Sequence, residues 1–245
     1  MTAINLESQK SAKYFIKSLS LHTSTEQNER LVAQSAAALH LSPNVIFQSK
    51  EWLVTEYIEG YSLFENQYPI ADKIAVAMKL LQRFHQLSPL EQVSSLSIKL
   101  LIEEQIKVNV FSDEQEAFLL KLNKDINTFA QVSEPVVCHG DLNFTNILID
   151  KQSKPWLVDY ECTSIGSAEY DVAMFIAINN LSDCDFSYIF DCYQSQSNKT
   201  LNTVLSYLSI NSLEILLLAI FEAIKPKIVI VKITINKFEN LNSTG

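Results

Sequence analysis

Glycine is scarce in this chain, at four of 245 residues, so each one marks a place where the backbone needs special freedom. Gly60, between Glu59 and Tyr61, therefore reads as a break between segments. Cysteine is equally sparse. Cys138, Cys162, Cys184 and Cys192 form no C-x-x-C pair and the four histidines are scattered, which argues against a zinc site. Such thiols are expected to be free, in a reducing compartment. Positive charge is also short: 19 Lys and Arg face 28 Asp and Glu, for a net charge of −9 and a pI near 5.0. That excludes a general nucleic-acid binder, which needs a basic face, and is compatible with a cationic small substrate. Long hydrophobic runs are missing too. The most apolar stretch, Ile215 to Phe221, is seven residues closed by Glu214 and Glu222, far short of a bilayer span. The opening MTAINLESQKSAKYF has no apolar signal core. The expectation is a cytoplasmic protein with neither membrane nor nucleic acid as partner.

What is present suits a folded enzyme-sized unit. Hydrophobic residues make up 47% and charged residues 19%, a globular composition, with no internal repeat and no low-complexity linker. The first sixty residues read as strands around one helix. Ile4–Glu7 and Tyr14–Leu19 suggest a hairpin turning at Gln9-Lys10-Ser11. Glu26 to Leu39 suggests an alanine-rich helix stopped by Ser42-Pro43. Val45–Gln48 and Trp52–Tyr57 suggest two more strands, and Glu59-Gly60-Tyr61 a hinge-like break. From Ala71 the period becomes helical, with Ile74, Ala77, Met78, Leu81 and Phe84 on one face to about Leu87. Further helices are expected near 98–110, 114–131, 169–179, 185–194 and 201–224. Residues 225–233 alternate as a strand would. The sum is an α+β chain with a small antiparallel β lobe over 1–58, a hinge at 59–61 and a larger, mainly helical lobe over 62–245.

Chemistry concentrates in CHGDLNFTNILIDKQSKPWLVDYE, from Cys138 to Glu161. Strand-like runs Val136-Val137-Cys138, Ile147-Leu148-Ile149 and Trp156-Leu157-Val158 bracket two carboxylates. Asp141 follows a His-Gly turn, where it can accept the proton of a substrate hydroxyl or orient that hydroxyl for attack. Asn146, five residues on, supplies a neutral hard oxygen suited to magnesium, and Asp159 a full negative charge. A loop Asp, a nearby Asn and a strand-end Asp make an oxygen-rich site of the kind used in phosphoryl transfer.

His139-Gly140-Asp141-Leu142-Asn143-Phe144-Thr145-Asn146, with Asp159 after a short apolar strand, resembles the aminoglycoside phosphotransferase and choline kinase superfamily, relatives of the protein kinases. In that family the loop reads H-G-D-x-x-x-x-N, and the resemblance spans roughly residues 5–195. It implies a two-lobed kinase-like fold with ATP and Mg2+ as cofactors. Asp141 would be the catalytic residue, and Asn146 and Asp159 the metal ligands. The resemblance further implies that Lys17 contacts the nucleotide phosphates and that Glu29, in preference to Glu26, pairs with it. The backbone around Glu56–Ile58 would bind the adenine. Asp171 resembles a structural family aspartate that opens a helix, and His85 a packing histidine. His139 is expected to fix the loop by hydrogen bonds. Only sixteen residues precede Lys17, fewer than a first strand and phosphate-covering loop need, so a truncated nucleotide lobe is expected.

Asp159-Tyr160-Glu161 resembles the D-[FWY]-E of choline, ethanolamine and thiamine kinases, which implies a small-molecule alcohol as acceptor. Aromatic faces and carboxylates, both plentiful here, bind quaternary ammonium groups. An aminoglycoside acceptor is the enzymatic alternative. A kinase-like fold that binds nucleotide or ligand with little turnover is the non-enzymatic one.

Overall fold

The β-rich start is a four-stranded antiparallel sheet in the order β1-β2-β4-β3, made of β1 (Thr2–Ile4), β2 (Ser11–Ser18), β3 (Val45–Gln48) and β4 (Trp52–Glu56). The computed structural model describes residues 2–4, 11–19, 25–88, 91–95, 113, 117, 120, 134–181 and 186–195. The helices expected at 98–110 and 201–224 and the strand-like run 225–233 lie outside them. Of the helix expected at 114–131, residues 117 and 120 are described, and both are helical. No helix among the described residues is long and apolar enough to cross a membrane.

Two N-terminal expectations need correction. The hairpin pairs Thr2–Ile4 with Ser11–Lys13, so the first strand sits earlier than Ile4–Glu7. The second strand starts at Ser11, because its leading residues are taken into the ladder with β1. Helix α1 (Thr25–Ala38) ends before Ser42-Pro43 is reached. His40 takes a left-handed φ of 55°, its N–H donates to Ala37 O, and the Leu41 N–H donates to Ala36 O. This is a Schellman closure, completed by Leu41 as a fully buried apolar residue. The small side chains of Ala33, Ala36 and Ala37 are buried with Val32 and let the helix sit close to its neighbours.

Tyr57 to Glu59 carry the chain out of this sheet without regular structure. The break expected at Glu59-Gly60-Tyr61 is in part a strand: β5 (Gly60–Ser62) pairs antiparallel with β7 (Ile147–Asp150). Glycine permits it, since a Cβ on Gly60 would lie 1.9 Å from Ile149 O. Strand β8 (Pro155–Leu157) completes this second sheet, in the order β5-β7-β8. A third sheet joins β6 (Val136–Cys138) to β9 (Ser164–Gly166), a pairing the sequence pattern did not suggest.

Helix α2 (Ile70–Phe84) buries Ile74, Ala77, Met78, Leu81 and Phe84 at helical spacing. Asp72 sits in its first turn and Arg83 in its last, each favourable to the helix dipole. The helix stops at Phe84, and not at Leu87, where residues 85–87 turn. Helix α3 (Ala168–Ile178) is buried along nearly its whole length and is capped by Ser167, whose side chain accepts from the Tyr170 N–H. Helix α4 (Phe186–Gln194) packs against α2. Phe84, Phe175, Met78, Leu142 and Ile147 are fully buried in one continuous core, to which the Cys138–Glu161 segment itself contributes Leu142 and Ile147.

Candidate active site

Strand β6 delivers His139-Gly140-Asp141 into a turn whose geometry depends on glycine. Gly140 has φ +75°, and a Cβ there would stand 2.3 Å from Cys162 O. The turn is tied from below by Asp171 in the first turn of α3, fully buried. Its Oδ2 accepts from the His139 N–H at 2.6 Å and its Oδ1 from the Gly140 N–H at 2.9 Å. His85 Nε2 lies 2.9 Å from Asp171 Oδ2, and His85 Nδ1 lies 2.6 Å from the Tyr193 hydroxyl. His85 is therefore a polar bracket joining α2, α3 and α4, more than the packing residue expected. Burial works against a charged Asp171, but the His85 contact and the Gly140 N–H outweigh it and hold its pKa below the ordinary carboxylate value.

His139 departs from expectation. Its backbone N–H fixes the loop, but neither ring nitrogen has a hydrogen-bond partner by distance and angle among the described residues, although the Val158 backbone is close enough to favour the charged ring. The ring packs between Phe84 and Tyr160, at centroid distances of 5.7 and 5.3 Å. Burial lowers its pKa, so the imidazole stays neutral.

After Asp141 the chain makes a 3₁₀ turn, Phe144–Asn146, capped by Asn143. Asn143 Oδ1 accepts from the backbone N–H groups of Thr145 and Asn146. Asn179, at the end of α3, grips the same loop: its Oδ1 accepts from the Phe144 N–H and its Nδ2 donates to Leu142 O. Neither asparagine was singled out from sequence. Asn143 does have a legible signal, as an N-cap residue before a short turn; Asn179 has none. Asn146 Nδ2 donates to Asp141 O at 2.9 Å and to Asp141 Oδ2 at 3.1 Å, leaving its amide oxygen as the group able to meet a cation.

The Val158 N–H donates to Asn146 O, bringing the end of β8 beside that loop. The strand ends at Leu157, two residues before Asp159. Asp159 itself adopts φ 67°, an uncommon conformation for a non-glycine residue and a mark of local constraint. Lys17, arriving from β2, meets three carboxylates. Its Nζ lies 2.8 Å from Glu29 Oε1, 2.6 Å from Asp159 Oδ1 and 3.2 Å from Glu161 Oε2. Burial disfavours the ammonium, yet the hydrogen bonds to Asp159 and Glu29 prevail and raise its pKa. Glu29 has only 4% of its side chain exposed, and burial pushes its pKa up against the pull of Lys17.

These groups line one cleft of about 360 Å³, which holds Lys17, Glu29, Asn146 and Asp159 together with Glu56 and Ile58. Phe15, Ala33, Leu53, Leu148 and Val158 give it apolar walls. Asp141 does not line it and is joined to it through Asn146. At the strand edge, the Glu56 N–H donates to Asn44 O, the Glu56 carboxylate accepts from Asn44 Nδ2, and the Glu56 carbonyl accepts from the Thr55 hydroxyl at 3.3 Å. The Ile58 N–H has no partner among the described residues. Also among the described residues, no three His, Cys, Asp or Glu side chains group as a metal cage. Asp159 and Asn146 offer hard oxygen donors, and an ion there would complete its shell with water and ligand oxygens, the regime Mg2+ favours. The donor set fits magnesium.

The model of the phosphotransferase enzyme family matches residues 21–186. No curated protein matches the chain. Among solved structures, choline kinase LicA from Streptococcus pneumoniae superposes with a TM-score of 0.68 at 15% identity, covering 88% of this chain and 78% of that one. A choline/ethanolamine kinase family protein from Mesorhizobium loti gives a TM-score of 0.68 at 15% identity, covering 94% and 81%. An aminoglycoside phosphotransferase from Streptomyces rimosus, in complex with ADP and streptomycin, gives 0.58 at 17% identity, covering 82% and 86%. These likenesses carry the fold: α+β and protein-kinase-like, as the sequence resemblance implied.

Proposed function

Because the chain belongs to the phosphotransferase enzyme family, we propose that it transfers the γ-phosphate of ATP to a hydroxyl of a small molecule of the choline, ethanolamine or thiamine type. The observation that carries this reading is the convergence of Lys17, Glu29, Asn146 and Asp159 on one cleft that Glu56, Tyr57 and Ile58 also line. An apolar slot that holds a strand-edge backbone and a cation among carboxylates suits a nucleotide: the base in the slot, the phosphates at Lys17. The lobe over residues 1–58 would supply the nucleotide half, residues 59–61 the hinge, and 62–245 the catalytic half.

In this reading the Glu56 carbonyl and Ile58 N–H hold the adenine edge. Lys17, aligned by Glu29, offsets phosphate charge. Asp159 and the amide oxygen of Asn146 hold Mg2+, which when bound neutralises charge on the phosphates and orients them. Asp141 positions the acceptor hydroxyl and takes its proton, with Asn146 Nδ2 fixing the carboxylate rotamer. Transfer is direct and in line, with no covalent enzyme intermediate.

The preference for a cationic acceptor rests on charge. Burial is the main cause that pushes the Cys162 thiol up to about 11, and the nearby charges of Asp141, Glu161 and Asp159 add to it against the pull of Lys17. These three carboxylates suit a cationic alcohol. The test is ADP release across choline, ethanolamine, thiamine and kanamycin, with thermal unfolding measured with and without Mg-ATP. Turnover with a cationic alcohol above kanamycin is expected, together with a rise in Tm with Mg-ATP. Kanamycin as the better acceptor moves the assignment to an antibiotic kinase. No Tm shift at millimolar Mg-ATP and no turnover leaves a non-catalytic binding protein.

A further inference from the structure

Asn28 stands one residue before Glu29 in α1 and is 2% exposed. Asparagine is a poor interior helix residue, and nothing in the helix itself requires it. Among the described residues, its side-chain hydrogen bonds all leave the N-terminal lobe. Nδ2 donates to Ser94 Oγ at 2.8 Å and to Thr163 O at 3.0 Å, and Oδ1 accepts from the Ser94 N–H at 3.3 Å. Both amide hydrogens are thereby donated, the full donor set of the group, and the carbonyl oxygen accepts one hydrogen bond.

The two partners are themselves fixed to the catalytic half. The Ile165 N–H donates to Ser94 O, and Ser95 bridges Ile165 in β9. Thr163 closes the turn that begins at Tyr160, its N–H and Oγ1 both donating to Tyr160 O. That turn follows Asp159 directly, and its Cys162 carbonyl is the group against which Gly140 is packed. Asn28 thus keys α1 into the one turn that touches both Asp159 and the Asp141 loop. Neighbouring Glu29 meets Lys17 from the same helix turn.

We propose that Asn28 is a positioning residue that holds α1 against the 160–163 turn, so that Glu29 stays on Lys17 while Lys17 stays within reach of Asp159. The phosphate-binding part of this role rests on the function proposed above; the alignment of Lys17 does not. Without the clamp, α1 is free to swing away from the catalytic half and withdraw Glu29.

Two readouts separate these layers. Acylation of Lys17 by an amine-reactive reagent, followed by mass spectrometry against exposed Lys79 of α2, reports the carboxylate cage with no nucleotide present. Calorimetric titration with Mg-ADP reports the site. In Asn28→Ala, Lys17 labelling should rise and Mg-ADP affinity should fall, each about three- to tenfold, the scale of one buried hydrogen-bonded contact. In a Glu29→Gln background the same change should add little. Asn28→Asp should not rescue, since it loses the donors to Thr163 O and Ser94 Oγ. Ser94→Ala, at an exposed position, should give a smaller effect in the same direction, and it alone decides the matter if Asn28→Ala does not fold. A lower Tm with unchanged Lys17 labelling makes Asn28 merely structural and overturns the proposal. Raised labelling in a protein whose wild type binds no Mg-ADP keeps the positioning role and removes the nucleotide reading instead.

Discussion

Lys17 Nζ and Asp159 Oδ1 lie 2.6 Å apart although 142 residues separate them in sequence. The contact fastens the small sheet to the end of β8 and places a cation where anionic ligand oxygens would have to arrive. Replacing Lys17 by Met leaves Glu29, Asp159 and Glu161 facing one another without it. The expected outcome is a loss in kcat/KM for nucleotide of about 10²–10³-fold, the range for one preorganised electrostatic group. Steady-state ADP release checks it, and a loss under threefold contradicts the role assigned to Lys17.

Asp141 is joined to the cleft through Asn146 and does not line it. Nucleotide affinity and chemistry should therefore separate in Asp141→Ala. Mg-ADP affinity should stay within about twofold, while kcat falls about 10²–10⁴-fold, as for a lost general base. Titration calorimetry beside the acceptor panel measures both. ADP release at the wild-type rate removes Asp141 from the mechanism.

Asp171 holds the His-Gly-Asp turn from within α3. Its carboxylate holds two backbone N–H groups of the His-Gly-Asp turn and the His85 ring. Asp171→Ala leaves those buried donors unpaired, and a loss of about 3–5 kcal/mol is expected from urea unfolding. Asp171→Asn, which keeps one acceptor oxygen, should lose less. An equal and small loss in both would mean that the carboxylate is not what holds the turn.

His139 gives a pH signature. Burial depresses its pKa in the fold, so the unfolded chain takes up a proton, near pH 6.5, that the folded chain refuses. Stability from this residue is full above that pH and is lost as pH falls below it, by up to about 1.4 kcal/mol per pH unit for one proton. In His139→Phe, the backbone N–H to Asp171 remains and the titrating ring is gone. Urea denaturation between pH 7 and pH 5 should show a flatter decline than wild type. An identical slope would show that His139 does not set it.

The Cys138–Glu161 segment was legible because its information is local. Spacing alone put a loop Asp, an Asn five residues later and an apolar strand before Asp159 in order; the fold brings Asn146 and Asp159 onto one cleft with Lys17 and Glu29, and Asp141 is joined to it through Asn146. Less legible were the groups that support them. Asp171 reaches back about thirty residues to its N–H partners, Asn179 grips a loop 35 residues earlier, and Asn28 reaches 135 residues ahead to Thr163 O. No periodicity encodes such pairings, since each depends on how elements approach after packing. The Gly60 break was only half legible for the same reason: glycine signals a special backbone position, and only the neighbouring β7 carbonyl shows it to be a close strand pairing.

The sequence by itself determined the α+β composition, the helical face of α2, the His-Gly-Asp turn with its Asn, and the kinase-like family resemblance. These follow from side-chain period, local turn chemistry and short-range spacing. Tertiary structure decided which carboxylates surround Lys17, which N–H groups Asp171 holds, and that the His139 ring is buried between Phe84 and Tyr160. Those outcomes depend on desolvation and distances between segments far apart in the chain, which exist only once the core beneath the cleft has closed.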